Sequence, residues 1–166
     1  AIAPTPSIEP EICGDMIDND GNGATDCGDA ACADAVICLP DDEPDTQSFD
    51  SGMLGTDIPD NDTTGITSSL SVDAEGTIEA MSATVRIEHS WFGDLDVLLV
   101  HPNGEELAVL HEATGDPGEG VLEIEVELDQ FDDMSAAGDW ELVISDNASR
   151  DTGTLLEWGL NFEMAQ

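Results

Sequence analysis

The chain has almost no positive charge. It has 166 residues with 39 acidic side chains, and its only lysine or arginine residues are Arg86 and Arg150, so the formal net charge is −37. A nucleic-acid-binding protein needs cations that replace the counterions of the phosphates, so this composition excludes that class. An anionic membrane surface would repel the chain as well.

Long hydrophobic runs are missing too. No apolar stretch approaches the roughly 18 residues of a spanning helix, so we expect no membrane insertion. The chain does not open with a basic segment followed by an apolar one. A signal peptide has that pattern, so we expect Ala1 to begin a mature or excised chain.

Such strong acidity has two interpretations. Most of the carboxylates are expected to form a solvated surface, on which bound cations and salt screening offset their mutual repulsion. A few short clusters have the spacing of calcium ligands.

The composition divides the chain into three parts. The first part is residues 1–39. It begins with a proline-containing arm, residues 1–11, and continues as an acidic segment that contains all four cysteines. Residues 40–57 are rich in Pro, Asp, Ser and Gly, which predicts a linker. Residues 58–166 are predicted to form an independent domain with its own core.

The C-terminal part alternates apolar and polar residues, which is the pattern of β-strands. Apolar residues alternate with polar ones over residues 81–88, 122–129 and 156–164. In residues 95–100 every residue except Asp96 is apolar, which predicts a strand buried on both faces. Turn residues separate these runs. About seven or eight short strands at this spacing predict an all-β antiparallel sandwich or jelly roll.

The cysteine segment contains Asp-Asn-Asp-Gly-Asn-Gly over residues 18–23, which fits the start of a calcium loop. The sixth position, Gly23, is where such a loop turns sharply. The ligand positions, counted from the first residue, are Asp18, Asp20, Asn22, Ala24 through its carbonyl, Asp26 and Asp29.

The loop departs from an EF-hand, because Asp29 replaces the longer glutamate and the flanks are too short for two helices. The segment resembles the acidic Asp-Asn-Asp-Gly cysteine repeats of secreted bacterial proteins and, more distantly, thrombospondin type 3 repeats. This resemblance implies calcium binding without a helical switch. The alternative is a flexible acidic tether with Asx turns.

The four cysteines predict two disulfides in an oxidising compartment, and so a secreted, extracellular or cell-surface protein. The candidates are Cys13, Cys27, Cys32 and Cys38. A zinc site is the competitor, but zinc sites usually contain C-x₂-C pairs, which are absent here. The sequence leaves open all three connectivities that four cysteines allow.

The later part carries an ordered set of short motifs. They are Ile58-Pro-Asp-Asn61, His89 followed by Gly93-Asp-Leu95, Pro102-Asn-Gly104, Gly138-Asp-Trp140, Asp151-Thr-Gly-Thr-Leu155 and Trp158-Gly-Leu160. In this order they resemble the P domain (Homo B domain) of subtilisin-like proprotein convertases and their bacterial relatives. The resemblance covers about residues 55–166.

The resemblance implies a jelly-roll β-sandwich of galactose-binding-like type. In the family this domain follows a subtilisin-type protease, packs on it, supports its folding and stability and tunes its dependence on calcium and pH. It has no catalytic residue. The present sequence departs from the family in that residues 1–57 cannot encode a protease domain.

A search for catalytic residues agrees with this. The three histidines form no paired metal motif, and there is no Gly-x-Ser-x-Gly elbow. His89 is expected to be structural, bonded to a loop carbonyl. We therefore predict no catalytic residue and no enzymatic activity, while the full precursor would be a serine endopeptidase.

Carboxylates also occur at the ends of the predicted strands, where loops remote in sequence can meet. A second calcium site is predicted from Asp94, Asp146 and Asp151 together with Asp60. The alternative is that Asp60 and Asp146 cap turns through their side chains.

The sequence thus predicts a monomeric, calcium-stabilised accessory domain whose partner is a subtilisin-type catalytic domain of the same precursor. The alternative is a stand-alone extracellular or cell-surface module that binds carbohydrate or protein, for which Trp91 and Phe92 are candidate contacts.

Overall fold

A computed structural model describes residues 10–38, 45–115 and 117–165. The chain forms two compact units, Ala1–Glu43 and Pro44–Gln166. Most of the predicted N-terminal arm and residues 40–44 of the predicted linker lie outside the described residues.

The described part of the second unit contains nine strands. They are β1 (Asp45–Asp50), β2 (Thr56–Ile58), β3 (Asp62–Val72), β4 (Ile78–His89), β5 (Leu95–Val100), β6 (Leu107–His111), β7 (Gly120–Glu127), β8 (Gly138–Asp146) and β9 (Gly153–Met164). Short 3₁₀ turns at Phe92–Asp94 and Asp129–Phe131 connect some of them. Within the described ranges, no helix is long and apolar enough to cross a membrane.

The strands form two antiparallel sheets. In the five-stranded sheet the order is β1-β9-β4-β7, and β2 also pairs with β9. In the four-stranded sheet the order is β3-β8-β5-β6. The predicted all-β jelly-roll sandwich is therefore confirmed.

Alternation along each strand produces the core between the sheets. In β4, Met81, Ala83, Val85 and Ile87 are buried, while the intervening residues are exposed or half-buried. This follows from the pleat, which points successive side chains to opposite faces. In β8, Trp140 is fully buried and donates its indole N–H to the carbonyl of Ala136 at 2.9 Å.

Aromatic rings fill the centre of the core around Trp140. The ring centroid of Trp140 lies 4.8 Å from that of His101, 5.2 Å from Phe131 and 5.7 Å from Phe162. Such edge-on and tilted contacts stabilise a core beyond the area they bury. His101 is buried here and its Nε2 lies 3.0 Å from the carbonyl oxygen of Ser135.

Part of the predicted linker differs from the prediction, because residues 45–50 and 56–58 are strands of the sandwich. Strand β1 pairs with β9 from Asp45↔Met164 to Asp50↔Gly159. Phe49 packs edge-on against Phe162, with ring centroids 6.0 Å apart. Phe49 is the one apolar residue of this edge strand, and it is enough to anchor the strand. Because the other residues of β1 are polar, the composition of β1 resembles that of a linker.

Strand β5 also differs from the prediction of burial on both faces. Leu95, Val97 and Leu99 are buried, whereas Leu98 and Val100 are half-buried on the outward side of the four-stranded sheet. No second layer covers that side within the described part of this unit, so the apolar residues remain partly exposed.

The first unit is held by two interleaved disulfides, Cys13–Cys32 and Cys27–Cys38. The thiols are therefore not available for a zinc site. Regular structure among residues 10–38 is limited to 3₁₀ turns at Asp26–Gly28, Ala30–Cys32 and Val36–Cys38. In this range only Asp29 and Cys32 are buried among the residues whose burial is described.

Candidate metal sites

The loop that begins at Asp18 is organised around the carboxylate of that residue. Asp18 Oδ1 accepts hydrogen bonds from the backbone N–H groups of Gly21 and Asn22, at 2.7 and 3.1 Å. Asp18 Oδ2 accepts one from Gly23 N–H at 2.9 Å. These are Asx-type turns, which fold the chain tightly around one carboxylate.

Glu11 is a residue of this loop that the sequence analysis missed. One oxygen atom each from Glu11, Asp18 and Asp20 lies within 4.8 Å of the others, an arrangement that could hold a metal ion. Glu11 Oε2 accepts the N–H of Asn19 at 2.8 Å, which draws this residue to the loop. Since Glu11 precedes the loop, the ligand spacing within residues 18–29 contains no signal for it.

The later predicted ligands also have hydrogen-bond partners within the first unit. Asp26 accepts hydrogen bonds from the N–H groups of residues 14–16 through its two oxygens. Asp29 is buried, accepts the N–H of Ala31 at 2.7 Å and binds the side-chain amide of Asn22 at 2.6 Å. Ala24 donates its N–H to the Asn22 side-chain oxygen. In the structure these residues therefore organise the loop.

A second group of carboxylates meets at one end of the sandwich. We call Asp60, Asp94, Asp146 and Asp151 the sandwich-end cluster. Asp60 follows β2, Asp94 ends the 3₁₀ turn before β5, Asp146 ends β8, and Asp151 lies in the connection from β8 to β9. The register places Asp146 opposite Asp62 of β3 and Leu95 of β5.

Asp146 is the most buried member of the sandwich-end cluster, with no exposed surface. Its Oδ1 accepts the N–H of Ala148 at 3.0 Å. Its Oδ2 has no hydrogen-bond partner and lies 3.5 Å from Nε2 of His89, which also has no partner. A buried carboxylate is costly unless it is paired, and the His89 ring is the side chain that faces this oxygen.

His89 is fixed from its other side by a loop carbonyl, as the sequence predicts. Its Nδ1 lies 2.8 Å from the carbonyl oxygen of Trp91 and 3.1 Å from the N–H of the same residue. Nδ1 therefore has both of its contacts within the loop, and Nε2 is the ring nitrogen that faces Asp146.

The members of the sandwich-end cluster repel one another. Burial raises the pKa of the Asp94 carboxyl, and the negative charges of Asp146 and Asp151 raise it further; His89 lowers it, and Asp60 has a smaller raising effect. Arg86 does not relieve this repulsion, because it pairs with Glu157 and Glu123 on the outward side of the five-stranded sheet. The cluster is therefore an electronegative position at this end of the sandwich.

The remaining loop carboxylates have other partners. Asp62 accepts the N–H of Thr64 at 2.9 Å. Asp96 accepts the N–H of Ala113 at 2.7 Å and the side-chain amide of Asn147 at 2.9 Å. They hold turns at this end of the sandwich. Asp60 accepts the N–H of Arg150, a residue of another loop, at 2.9 Å.

The two antiparallel sheets and their short connections define the second unit as a jelly-roll β-sandwich domain. Residues 78–162 match the family model of the proprotein convertase P-domain, which is about half of the chain. The chain belongs to this family, and the predicted resemblance is confirmed.

The chain spans only a small part of the proteases that it matches. A transglutaminase-activating metalloprotease of Streptomyces mobaraensis is 33% identical over 98 residues, which make up 58% of this chain and 13% of that protein. A crystal structure of a serine protease of Aeromonas sobria matches 76% of this chain and 27% of that chain, with a TM-score of 0.57 and 18% identity.

The fold also occurs as a complete small protein. The crystal structure of FLHE matches 73% of this chain and 98% of its own, with a TM-score of 0.51 and 11% identity. At such identity the likeness concerns the fold alone.

Proposed function

We propose that the sandwich is the non-catalytic accessory domain of a secreted protease precursor. In that precursor it would support the folding and stability of the catalytic domain. The observation that carries the proposal is the P-domain match over residues 78–162. The similar proteases support it: the chain matches 13% of the Streptomyces metalloprotease and 27% of the Aeromonas serine protease. P domains are non-catalytic domains of protease precursors. The subtilisin type of the catalytic domain is the narrower part of the proposal, and it rests on the ordered motifs.

An apolar patch on the outward face of the four-stranded sheet supports a docking role. Leu98 of β5 pairs with Val109 of β6 and Val143 of β8, and Val100 pairs with Leu107. Leu107 and Val109 are 52% and 49% exposed, although the chain is otherwise strongly acidic. We call these five residues the aliphatic face.

The outward face of the five-stranded sheet provides the contrast. It presents Glu123, Glu125 and Glu127 of β7 beside Arg86 of β4. Charges on such a surface keep it solvated and protect it from edge-to-edge association. The aliphatic face is therefore our proposed contact for the catalytic domain, because a contiguous exposed apolar surface indicates an interaction site.

Calcium binding is the second part of the proposal. In the first unit, calcium would bind between Glu11, Asp18 and Asp20, whose oxygen atoms lie close together. Calcium takes six to eight oxygen ligands on flexible loops, and carboxylates and carbonyls of the loop are of that type. In the sandwich, the sandwich-end cluster is the second proposed calcium position, and its support is the mutual repulsion of its carboxylates.

The precursor tests the accessory role directly. Its coding sequence upstream of Ala1 should contain the Asp, His and Ser motifs of a subtilisin-type protease, whereas surface repeats there would contradict the proposal. Deletion of residues 45–165 from that precursor should abolish secretion of active protease. The matched control, Glu125→Gln, removes one outward charge and should leave secretion unchanged.

Calorimetric titration tests the calcium part in the first unit. The double variant Asp18→Asn/Asp20→Asn should bind one calcium ion fewer than the unmodified chain, because two of the three clustered carboxylates lose their charge. The control Asp34→Asn removes an exposed carboxylate of the same unit outside that cluster. Equal stoichiometry in all three proteins would contradict calcium binding at this loop.

The stand-alone binding module remains the second candidate, and one observation favours it. Trp91 is 38% exposed in the loop after β4, where an aromatic face could stack on a sugar ring. Its neighbour Phe92 is half-buried instead and lies against Gly118, where a Cβ would approach its ring within 2.6 Å. Glycan binding that is lost in Trp91→Ala would favour this function over the accessory role.

A further inference from the structure

We propose that the free edge of β6 binds an extended peptide segment that has alternating apolar side chains and basic ends. The segment would add to the four-stranded sheet as a further strand, with main-chain hydrogen bonds for affinity and side-chain contacts for specificity. The proposal concerns backbone pairing at one edge strand. It rests neither on calcium nor on the association with a protease.

Strand β6 is the last strand of its sheet. Within the described residues it pairs with β5 alone, from Val97↔His111 to Val100↔Leu107. One step further along, His101 donates its backbone N–H to the carbonyl of Glu106 at 2.9 Å. These two residues are therefore a hydrogen-bonded pair of the antiparallel ladder, and the next pair along the ladder is a non-hydrogen-bonded one.

This alternation places the backbone groups of Leu107 and Val109 on the free edge. Both belong to non-hydrogen-bonded pairs with β5, so their N–H and C=O groups point away from it. The carbonyl of Leu107 accordingly accepts the side-chain amide of Gln130 at 3.4 Å. That contact is longer than the roughly 2.9–3.0 Å of a backbone hydrogen bond, so an added strand can replace it.

Strand β6 lacks the features that protect an edge strand from pairing. Its sequence, Leu-Ala-Val-Leu-His, contains no carboxylate, lysine, arginine or proline. The register shift of the β5–β6 pair falls after Val109, so residues 107–109 are regular. Leu107 and Val109 are 52% and 49% exposed.

The other edge strands differ from β6. Strand β1 begins and ends with an aspartate, and β7 contains three glutamates. Strand β3, at the opposite edge of the same sheet, exposes the hydroxyl side chains of Thr67, Ser69 and Ser71. An added apolar strand would therefore cover exposed apolar side chains at β6, whereas at these edges it would meet charged or hydroxyl groups.

There is room for an added strand beside β6. An open groove of about 510 Å³ adjoins the second half of the strand, and it is lined by Val109, Leu110, His111, Glu112 and Thr114. The pleat would place alternate side chains of the added strand next to Leu107 and Val109 on the outward face. Apolar residues at those alternate positions would extend the aliphatic face.

The charges around β6 define the ends of the partner segment. Exposed glutamates lie on both sides of the strand, Glu105 and Glu106 before it and Glu112 after it. Lysine or arginine residues that flank the apolar positions would complement them and accelerate association. A second copy of β6 would instead bring its own glutamates to the same edge, and each chain has a formal net charge of −37.

The probe is the synthetic peptide Lys-Arg-Val-Thr-Val-Thr-Val-Arg-Lys, titrated calorimetrically into the whole chain at about 150 mM salt, where exposed charges are screened beyond roughly 8 Å. The control peptide carries an N-methyl group on each valine, so it keeps every charge and apolar side chain but loses the pairing N–H groups. It should bind at least about tenfold more weakly. Equal affinity would show charge attraction alone and would overturn the proposal.

Val109→Pro tests the position of the contact. It removes an N–H that faces the free edge, where proline is tolerated, and should weaken binding of the unmethylated peptide about tenfold. The control Val109→Thr keeps the N–H and should retain the affinity. If the proline variant does not fold, Val109→Lys should weaken binding by repulsion, whereas Val121→Lys on β7 should not. Unchanged affinity in the folded Val109 variant would overturn the assignment to β6.

The charge requirement has its own variant. Glu105→Gln/Glu112→Gln removes one glutamate on each side of β6 and should weaken binding about threefold, as exposed ion pairs typically do. The control Glu125→Gln removes a charge from the other sheet and should leave the affinity unchanged. Equal affinities in the two variants would overturn the assignment of a basic partner.

Hydrogen exchange measured by NMR locates the peptide on the chain. Bound peptide should slow exchange of the Leu107 and Val109 amides. Protection of Ser69 and Ser71 on β3 instead would overturn the site, and a dimer of the free chain that is lost in Val109→Pro would overturn the choice of partner. These measurements use neither calcium nor the precursor, so their failure is distinguishable from failure of the proposed function.

Discussion

His89 Nε2 and Asp146 Oδ2 face each other at 3.5 Å inside the sandwich, and neither atom has a hydrogen-bond partner. The two residues end strands of different sheets, β4 and β8. Their contact therefore links the sheets at the end of the domain where the acidic loops converge.

Removal of the imidazole should destabilise the domain. His89→Ala leaves a cavity, deletes the bond to Trp91 and leaves Asp146 further from any positive group, so we expect a loss of about 2–4 kcal/mol in the free energy of unfolding. Urea denaturation measures this. The control His111→Ala removes a half-buried ring with one carbonyl contact, at Phe92, and should cost about 1 kcal/mol. Equal losses in the two variants would contradict a special role of His89.

Gly153 should not tolerate a side chain, because β9 passes closely over the histidine. A Cβ at this position would lie 2.1 Å from His89 Cδ2 and 2.9 Å from the carbonyl oxygen of Glu88. Gly153→Ala should therefore cost about 2–3 kcal/mol of stability, as overpacking typically does. The control Gly28→Ala places its Cβ in open space and should be nearly neutral. Unchanged stability of Gly153→Ala would show that β9 can move away.

The disulfides should stabilise the first unit alone. The two bridges join cysteines that are 19 and 11 positions apart in the sequence. Few of the described side chains in this unit are buried, so the bridges contribute much of its stability. Loss of one bridge in Cys13→Ser/Cys32→Ser should cost this unit about 3 kcal/mol and make residues 10–38 sensitive to protease.

The Tm of the sandwich should stay unchanged in the same variant, because its core is separate. On one sample, limited proteolysis measures the protease sensitivity of the first unit and calorimetry measures the Tm of the sandwich. A large drop in the sandwich Tm would contradict two independently stable units.

The aliphatic face should matter in the precursor and not in the isolated chain. Leu107→Glu/Val109→Glu places charges at exposed positions, so the Tm of the chain should change little. Secretion of active protease should fall severalfold, because the charges would be desolvated at the contact with the catalytic domain. Val121→Glu is the control, since Val121 is 46% exposed on the other sheet. Equal secretion from both variants would contradict docking at this face.

Much of the fold could be predicted because strand patterns are local. The alternation of Met81, Ala83, Val85 and Ile87 matches the pleat of β4 without any knowledge of its neighbours. Strand β1 could not be predicted in this way, since its membership depends on pairing with β9 and on one contact of Phe49. Glu11 was missed for a similar reason, because it reaches the Asp18 loop only through the folded backbone.

The sequence by itself determined the all-β class and the family, since alternation and ordered motifs are properties of the chain. It also placed Asp60, Asp94, Asp146 and Asp151 near the ends of strands. The tertiary structure decided the disulfide pairing, the approach of His89 to Asp146 and the burial that leaves one oxygen without a partner. These depend on distances between remote segments, which exist only after the two sheets have packed together.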